Sequence, residues 1–208
     1  MLINFQNVVN FFGSSGVTPK SMSTFASDIM CPNQYFGKYT SGTVSVARAS
    51  INRCISGNQS DTNIVVILAE SPHIDEYNFD KGIVTPKGPL WKYDNVIKLK
   101  IATYIPKVFS SADIYLFNAI PYQCSFGNNL YGKNNFNKQK NDIFAFTWNT
   151  EPALDNLVKN INDLIAKECP LVIINSCTAK LKPCCNSLVL QKRIVGAQVV
   201  DAPHVSHW

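Results

Sequence analysis

Short apolar runs over the last two-thirds of the chain predict buried β-strands. Their hydrophobic residues are nearly continuous, whereas a strand with one wet face would alternate them with polar ones. Continuity of this kind is typical of strands covered on both faces. The four predicted strands are Ile64–Leu68, Asp113–Ala119, Leu171–Asn175 and Ala197–Asp201.

Between these strands, apolar residues recur with a period near 3.6 and predict helices. The segments are Asp94–Tyr104, Thr150–Glu168 and Asn186–Arg193, with a further helix start at Ser176–Leu181. Strands that alternate with helices form parallel sheets with helices on both faces. The sequence therefore predicts an α/β fold, a three-layer α/β/α arrangement around a central, mainly parallel four-stranded sheet.

The N-terminal part shows less order. We predict one domain over residues 1–208, in which residues 1–42 form an irregular or helical extension. Within it, Asn4–Phe12 is predicted to be a short helix and Ser21–Tyr39 to be irregular. Thr43–Ile55 carries apolar residues near helical spacing and is predicted to be a helix, with Arg48 on its solvated face.

Two long connections stand out between the predicted elements. Ser71–Pro89 is rich in Gly and Pro, and Ser125–Asn149 is rich in Asn and aromatic residues. Long connections in compact domains are often functional, so we expect the second one to cover the site, with a short helical turn at Asn141–Trp148. A solvated surface loop is the alternative for Ser125–Asn149.

Composition limits the possible classes of function. The chain has 208 residues, a formal net charge of +5 and seven cysteines without a CxxC pair. The charge permits a polyanionic partner, and the cysteine pattern predicts reduced thiols in a cytoplasmic protein. We expect no signal peptide, no membrane span and no cofactor. With only His73, His204 and His207 available as histidine ligands, we also expect no metal site.

Polar residues follow the predicted strands at their carboxyl ends. Glu70, Asn118, Ser176 and His204 each come at or after the end of a different strand. Those ends meet at one edge of a parallel sheet, which is where open α/β sheets build their sites. The alternatives are structural: a solvated acidic turn at Glu70, turn capping at Asn118, and a core or surface histidine at 204. The absence of a Gly-rich phosphate loop and of a GxSxG motif argues against nucleotide-cofactor enzymes and triad hydrolases.

The same segments resemble motifs of the uracil-DNA glycosylase superfamily, in particular its branches whose first motif reads GE[AS]PG. Ala69-Glu70-Ser71-Pro72 follows the strand IVVIL, and Gly88-Pro89-Leu90-Trp91 precedes a helix as the family's Gly-Pro-aromatic segment does. YLFN ending at Asn118, LVIINSCTAKL, and His204-Val205-Ser206 after the last strand follow in the family's order. The resemblance covers roughly residues 60–208.

The resemblance implies hydrolysis of the N-glycosidic bond of a base flipped out of single- or double-stranded DNA by a monomeric enzyme. In this reading Glu70 activates water, with Asp75 and Glu76 as alternative carboxylates, and His204 stabilises the departing base. Asn118 reads the base edge and His73 lies near it. Walls against the base come from Trp91, Leu90 and Tyr77. Ser176, Ser206 and Lys92 would contact the DNA backbone.

The chain departs from the family pattern at base-reading positions. Ala69 replaces the first Gly, Ser71 stands where some branches carry a water-activating Asp, and Val205 replaces the Pro of the last motif. These departures predict a target other than plain uracil, such as a larger or modified base, for example in modified phage DNA. Two other functions stay open: a catalytically inactive nucleic-acid-binding protein and a hydrolase of free nucleosides or nucleotides.

Overall fold

A six-stranded mixed sheet forms the centre of the computed structural model. The structure describes residues 30–50, 63–80, 83–121, 124, 136–150, 153–164, 169–179, 181–182 and 185–208. The strands in chain order are β1 (Gln34–Thr40), β2 (Thr43–Ser50), β3 (Asn63–Ala69), β4 (Tyr77–Asp80), β5 (Ile83–Pro86), β6 (Ser111–Asn118), β7 (Leu171–Asn175) and β8 (Ala197–Asp201). The central sheet has the order β2-β1-β6-β3-β7-β8, and β4 pairs with β5 in a separate hairpin.

Strand β3 lies in the middle of the sheet because both of its faces are apolar. Its residues 64–69 are all buried. Ile64, Val66 and Leu68 pack into one hydrophobic cluster, whereas Val65, Ile67 and Ala69 pack into the cluster on the other face. Parallel partners β6 and β7 occupy its two edges. The four predicted strands and the α/β class are therefore confirmed, although the sheet has six strands and the predicted number of four is wrong.

The helices cover both faces of this sheet. They are α1 (Asp94–Lys100), α2 (Phe136–Thr150), α3 (Ala153–Leu164) and α4 (Ser187–Arg193), with α1 continuing as a 3-10 turn at Ile101–Thr103. Helix α3 buries the apolar stripe predicted from the sequence, which includes Leu157, Val158, Ile161 and Leu164, in the first cluster. Helix α1 packs Ile97 into the opposite cluster. The three-layer arrangement predicted from the alternation of elements is confirmed.

The two additional strands come from segments predicted to be helical or irregular. Residues 43–50 form β2 and not a helix, and residues 34–39 belong to β1 and are not irregular. Ser41 and Gly42 connect them with φ values of 46° and 91°, the positive values that tight hairpin turns require. Among residues 43–49 of β2, whose burial the structure describes, only Val44 is buried, so this edge strand carries almost no alternating signal. The remainder of the predicted helix, residues 51–55, and the predicted helix Asn4–Phe12 lie outside the described residues.

Two further predictions need correction. No helix forms over the described part of Ser176–Leu181, because its backbone turns to bind the end of β3: the Thr178 N–H donates to Glu70 Oε2 at 3.0 Å. The helical turn expected at Asn141–Trp148 is instead the 15-residue helix α2. Phe144 and Thr147 are the buried side chains described on this helix, which explains its weak periodicity.

Arg48 is largely but not fully buried, with its side chain 11% exposed, and it joins the edge hairpin to the rest of the domain, although the sequence placed it on a solvated face. Its Nε lies 2.9 and 3.0 Å from the two carboxylate oxygens of Asp94. Its Nη1 donates to Gln34 Oε1 at 2.6 Å, and its Nη2 donates to the Pro89 carbonyl at 3.0 Å. The guanidinium also lies 5.5 Å from the centre of the Trp91 ring. One side chain thus connects β2, β1, the start of α1 and the loop before it.

We predict that Arg48→Ala lowers the free energy of unfolding by roughly 2 kcal/mol or more, because it leaves partly buried Asp94 and Gln34 without their partner. Arg48→Lys should recover only part of this loss, since an ammonium cannot reproduce the planar fork. Urea unfolding measures both values. Lys159→Ala, which removes an exposed pair with Asp163, is the control and should cost less than about 0.5 kcal/mol. An Arg48→Ala loss as small as the control's would contradict the assigned role.

Candidate functional site

A cavity of about 260 Å³ opens at the carboxyl end of β3. In the central sheet, β6 lies beside β3 on one side and β7 lies beside β3 on the other. The chain runs from β3 to β6 and then crosses to β7. The connections therefore diverge between β3 and β7, which is the switch point where open α/β sheets bind ligands. Segments 69–76, 90–93 and 204–207, together with Thr178, contribute the lining side chains.

Most of the predicted site residues line this cavity. They are Glu70, His73, Asp75, Leu90, Lys92, His204 and Ser206. Residues 71 and 76 also line it, as do Tyr93, Thr178 and His207. Among these, Glu76 was an alternative carboxylate in the sequence reasoning. Tyr93 and Thr178 carried no sequence signal beyond their closeness to predicted motifs.

Four predicted residues do not line the cavity. Tyr77 is buried, and Trp91 is 44% exposed where it packs on Arg48. Ser176 is fully buried and donates its hydroxyl to the Leu68 carbonyl at 3.0 Å, so it presents no surface to a phosphate. Asn118 is 3% exposed and lies behind the cavity wall beside Glu76.

Glu70 is held at the switch point by backbone contacts. Its Oε2 accepts from the Thr178 N–H at 3.0 Å, which links the end of β3 to the loop after β7. On the other side its carbonyl accepts from the Ile120 N–H at 3.0 Å, just beyond β6. The side chain is buried to 6% exposure yet lines the cavity. These contacts fix a carboxyl group in one orientation, which suits the positioning of a water molecule.

Asp75 lies at the rim within a small charged group. Its Oδ2 is 2.7 Å from Lys92 Nζ and 3.3 Å from His73 Nδ1. The hydrogen bond from Lys92 is the main cause that holds the pKa of Asp75 below its usual value, and Lys92's own pKa is raised by the same contact. Because both partners are about half exposed, solvent screening keeps the energy of this pair small.

Glu76 is the neighbour of Asp75 in the chain, but its side chain is buried whereas that of Asp75 is half exposed. Burial raises the pKa of Glu76 to about 8, although backbone hydrogen bonds from Leu90 and His73, the Asn118 side chain and the Arg48 charge oppose the shift. Its backbone is fixed on both sides, since its N–H donates to the His73 carbonyl at 2.9 Å and its carbonyl accepts from Lys87 at 2.7 Å. Asp75 and Glu76 thus give the cavity an ionised and a neutral carboxyl group at neutral pH, a division of roles that acid–base sites use.

His204 is oriented by the turn that follows β8. Its Nδ1 lies 2.8 Å from Ser206 Oγ and accepts from the Ser206 N–H at 3.3 Å. A neutral ring whose Nδ1 accepts carries its proton on Nε2. The Tyr93 ring stands edge-on at a centroid distance of 6.0 Å. The geometry therefore favours one tautomer, in which Nε2–H is a donor.

Leu90 forms a strained wall of the cavity. It is 2% exposed and has φ 55° and ψ 27°, a left-handed conformation that residues other than Gly rarely adopt. The Arg48 contact to the Pro89 carbonyl and the hydrogen bond from Tyr93 N–H to the Leu90 carbonyl at 2.9 Å hold it there. Strain maintained by surrounding contacts is found preferentially at functional sites.

Unpaired buried polar atoms concentrate around the cavity. Six buried side-chain polar atoms lack a hydrogen-bond partner among the described residues, and five of them belong to Ser71, Glu76, Asn118 and Thr178. The sixth, Ser111 Oγ, lies at the opposite end of β6. Since native proteins rarely leave such atoms unpaired, their clustering at one end of the sheet points to a polar ligand or ordered water there.

The described residues contain no group of three or more His, Cys, Asp or Glu side chains that could hold a metal ion. Within the same parts of the chain, no helix has the length and apolar character needed to cross a membrane. The five cysteines that the structure describes are free. No family model, curated protein or solved structure matches this chain.

We predict that Glu76 makes the stability of the protein depend on pH between about 4.3, its unfolded pKa, and about 8, its folded pKa. In this range the folded protein keeps a proton that the unfolded chain releases, so the stabilisation present at low pH is lost as pH rises. Compared with Glu76→Gln, the free energy of unfolding should fall by about 1 kcal/mol per pH unit and level off above pH 8.

Urea unfolding at pH 5, 6.5, 8 and 9 measures this difference. Asp163→Asn, which removes an exposed carboxylate outside the cavity, is the control, and its difference from the wild type should be constant over the same series. A constant difference between the wild type and Glu76→Gln would show that Glu76 is ionised throughout.

Proposed function

We propose that the protein is a DNA glycosylase that hydrolyses the N-glycosidic bond of a flipped-out base. The observation that carries this proposal is the convergence of Glu70, Glu76 and His204 in one cavity at the switch point of the sheet. The resemblance to the uracil-DNA glycosylase superfamily supports it, because Glu70 and His204 are the residues that this resemblance assigns to the reaction.

In the proposed reaction the bond between the sugar C1′ and the base nitrogen breaks. Glu70, oriented by the Thr178 N–H, positions a water molecule and accepts one of its protons as the water oxygen bonds to C1′. The Nε2–H of His204 donates a hydrogen bond to the departing base, which leaves with the bonding electrons and a negative charge. The base then takes up the proton that the water gave to Glu70, which returns Glu70 to the carboxylate form. Stabilising charge where it develops in the transition state is the largest catalytic contribution in many enzymes.

The size of the cavity favours a single base as the buried group. At about 260 Å³ it is smaller than the roughly 300–1,000 Å³ of pockets for drug-sized ligands. Enzymes that act on bases in DNA take one nucleotide out of the stack into such a pocket. Exposed Ser206 and His207 and half-exposed Lys92 line the mouth, where the sugar and phosphates would lie. A phosphate would share Lys92 with Asp75.

The target base and the setting are also part of the proposal. Ser71 lines the cavity with a buried, unpaired hydroxyl, at one of the positions where the chain departs from the family pattern. This favours a modified or otherwise larger base over plain uracil. We further propose a monomer acting in the cytoplasm, which the five free cysteines support.

We predict that the protein releases a base from at least one DNA in a panel of normal, deaminated and modified substrates, measured as abasic product and as free base by mass spectrometry. Glu70→Gln should slow release by roughly 10²–10⁴-fold because the water loses its base. His204→Ala should slow it by roughly 10²–10³-fold because a donor to the leaving group is lost. The exposed carboxylate variant Asp163→Asn is the control and should react at the wild-type rate.

Three results would contradict this proposal in different ways. DNA binding without abasic product on any substrate would indicate an inactive nucleic-acid-binding protein. Release from free nucleosides but not from DNA would indicate a nucleoside hydrolase. Unchanged rates in both Glu70→Gln and His204→Ala would show that the active residues lie elsewhere.

A further inference from the structure

Glu76, at the inner end of the cavity, and Asn118, behind the cavity wall, form a buried polar pair. Glu76 is 6% exposed and Asn118 is 3% exposed, and Glu76 lines the cavity. They come from different elements: Asn118 ends β6, and Glu76 ends the 3-10 turn Ile74–Glu76 that leads into β4. The tertiary fold therefore assembles this pair from sequence positions more than 40 residues apart.

Three atoms of the pair lack a partner with hydrogen-bond geometry within the described part of the chain: Glu76 Oε2, Asn118 Nδ2 and Asn118 Oδ1. The two side chains are near enough for Asn118 to lower the pKa of the Glu76 carboxyl, but they do not satisfy each other. Leaving such atoms unpaired costs free energy that a bound polar group would recover. The pair is thus a polar site whose hydrogen-bonding atoms have no partner among the described residues.

The charges around Glu76 do not balance an ionised carboxylate there. Arg48 is a cation whose charge lowers the pKa of Glu76, and that guanidinium already binds Asp94 at both carboxylate oxygens. Lys92 also interacts with Glu76 but is bound to Asp75 at the rim. Cys31, a fully buried thiol whose pKa is raised by burial and by Glu76, supplies no positive charge. A neutral carboxylic acid is the form that fits this environment.

We propose that Glu76, as a neutral acid beside the Asn118 amide, reads the substrate base by donating a hydrogen bond to an acceptor atom on it. This role rests on the proposed glycosylase function and makes Glu76 a specificity residue rather than the group that activates water. A protonated carboxyl group has one O–H donor, and Glu76 is the member of the pair that lines the cavity. The site therefore takes an uncharged heterocycle that presents an oxygen or nitrogen acceptor to Glu76.

Replacement by Gln separates this role from that of a general base. Gln keeps the shape of a protonated Glu and donates through its amide at every pH, whereas it cannot accept a proton. If Glu76 is a donor, Glu76→Gln therefore preserves binding, and Glu76→Leu, which has neither donor nor acceptor, abolishes it. A residue that activates water would give no such pattern in the binding of a free base.

The test is calorimetric or NMR-detected binding of free uracil, hypoxanthine, cytosine and adenine at pH 6.5 and pH 9. We expect at least one base to bind at pH 6.5. Its affinity for the wild type should weaken about tenfold at pH 9 relative to Glu76→Gln, since one pH unit above a pKa of about 8 leaves about one-tenth of the donor protonated. The Gln variant corrects for titration of the base itself.

Loss of binding at pH 6.5 in Glu76→Gln would overturn the inference, and so would the absence of binding by all four bases. An equal pH dependence in the wild type and Glu76→Gln would overturn it as well. Unfolding curves at pH 6.5 confirm that each variant is folded, and the result does not depend on Glu76→Leu. The expected binding pattern without any base release from DNA would leave this inference standing and overturn the glycosylase function alone.

Discussion

The burial of β3 on both faces and both edges is the constraint on which the rest of the structure depends. A strand without polar side chains between Ile64 and Ala69 can lie only between two helix layers and two neighbouring strands. Its first polar side chain, Glu70, therefore appears where the sheet ends and where the connections to β6 and β7 diverge. The Thr178 N–H then fixes that side chain from the neighbouring strand. The position of the site follows from the burial of the strand that precedes it.

The site obtains two different carboxyl groups from adjacent residues. Asp75 points to the rim, where Lys92 keeps it ionised, and Glu76 points inward, where burial raises its pKa. The 3-10 turn Ile74–Glu76 and the start of β4 place these two adjacent side chains in different environments. Water-exposed charge at the mouth and neutral hydrogen-bonding groups at the inner end are a suitable arrangement for admitting one base from a polyanionic strand.

The sequence was sufficient to predict strands that are buried on both faces, but not the edge strand β2, which is mostly exposed. Strands β3 and β7 are buried on both faces, and their positions were predicted closely, as was that of helix α3 with its apolar stripe. Among residues 43–49 of strand β2, only Val44 is buried, so the spacing of its apolar residues resembled that of a helix, and the turn at Ser41–Gly42 was its single local sign. In the site, Glu70 and His204 were recognisable because they follow strands. The contrast between Asp75 and Glu76 was not, because it arises from the burial of Glu76 in the folded domain and from the contact of Asp75 with Lys92, and neither can be read from the local sequence.

Arg48 has a consequence for how small this domain can be made. The four parallel strands look like a complete core to which an antiparallel hairpin has been added at one edge. Yet the hairpin supplies Arg48 and Gln34, and Gln34 also donates to the Lys87 carbonyl at 3.1 Å. Together they hold the Gly88–Leu90 loop that carries the strained wall of the cavity. The hairpin therefore supports one wall of the cavity from outside, and trimming the chain to its parallel core would remove that support.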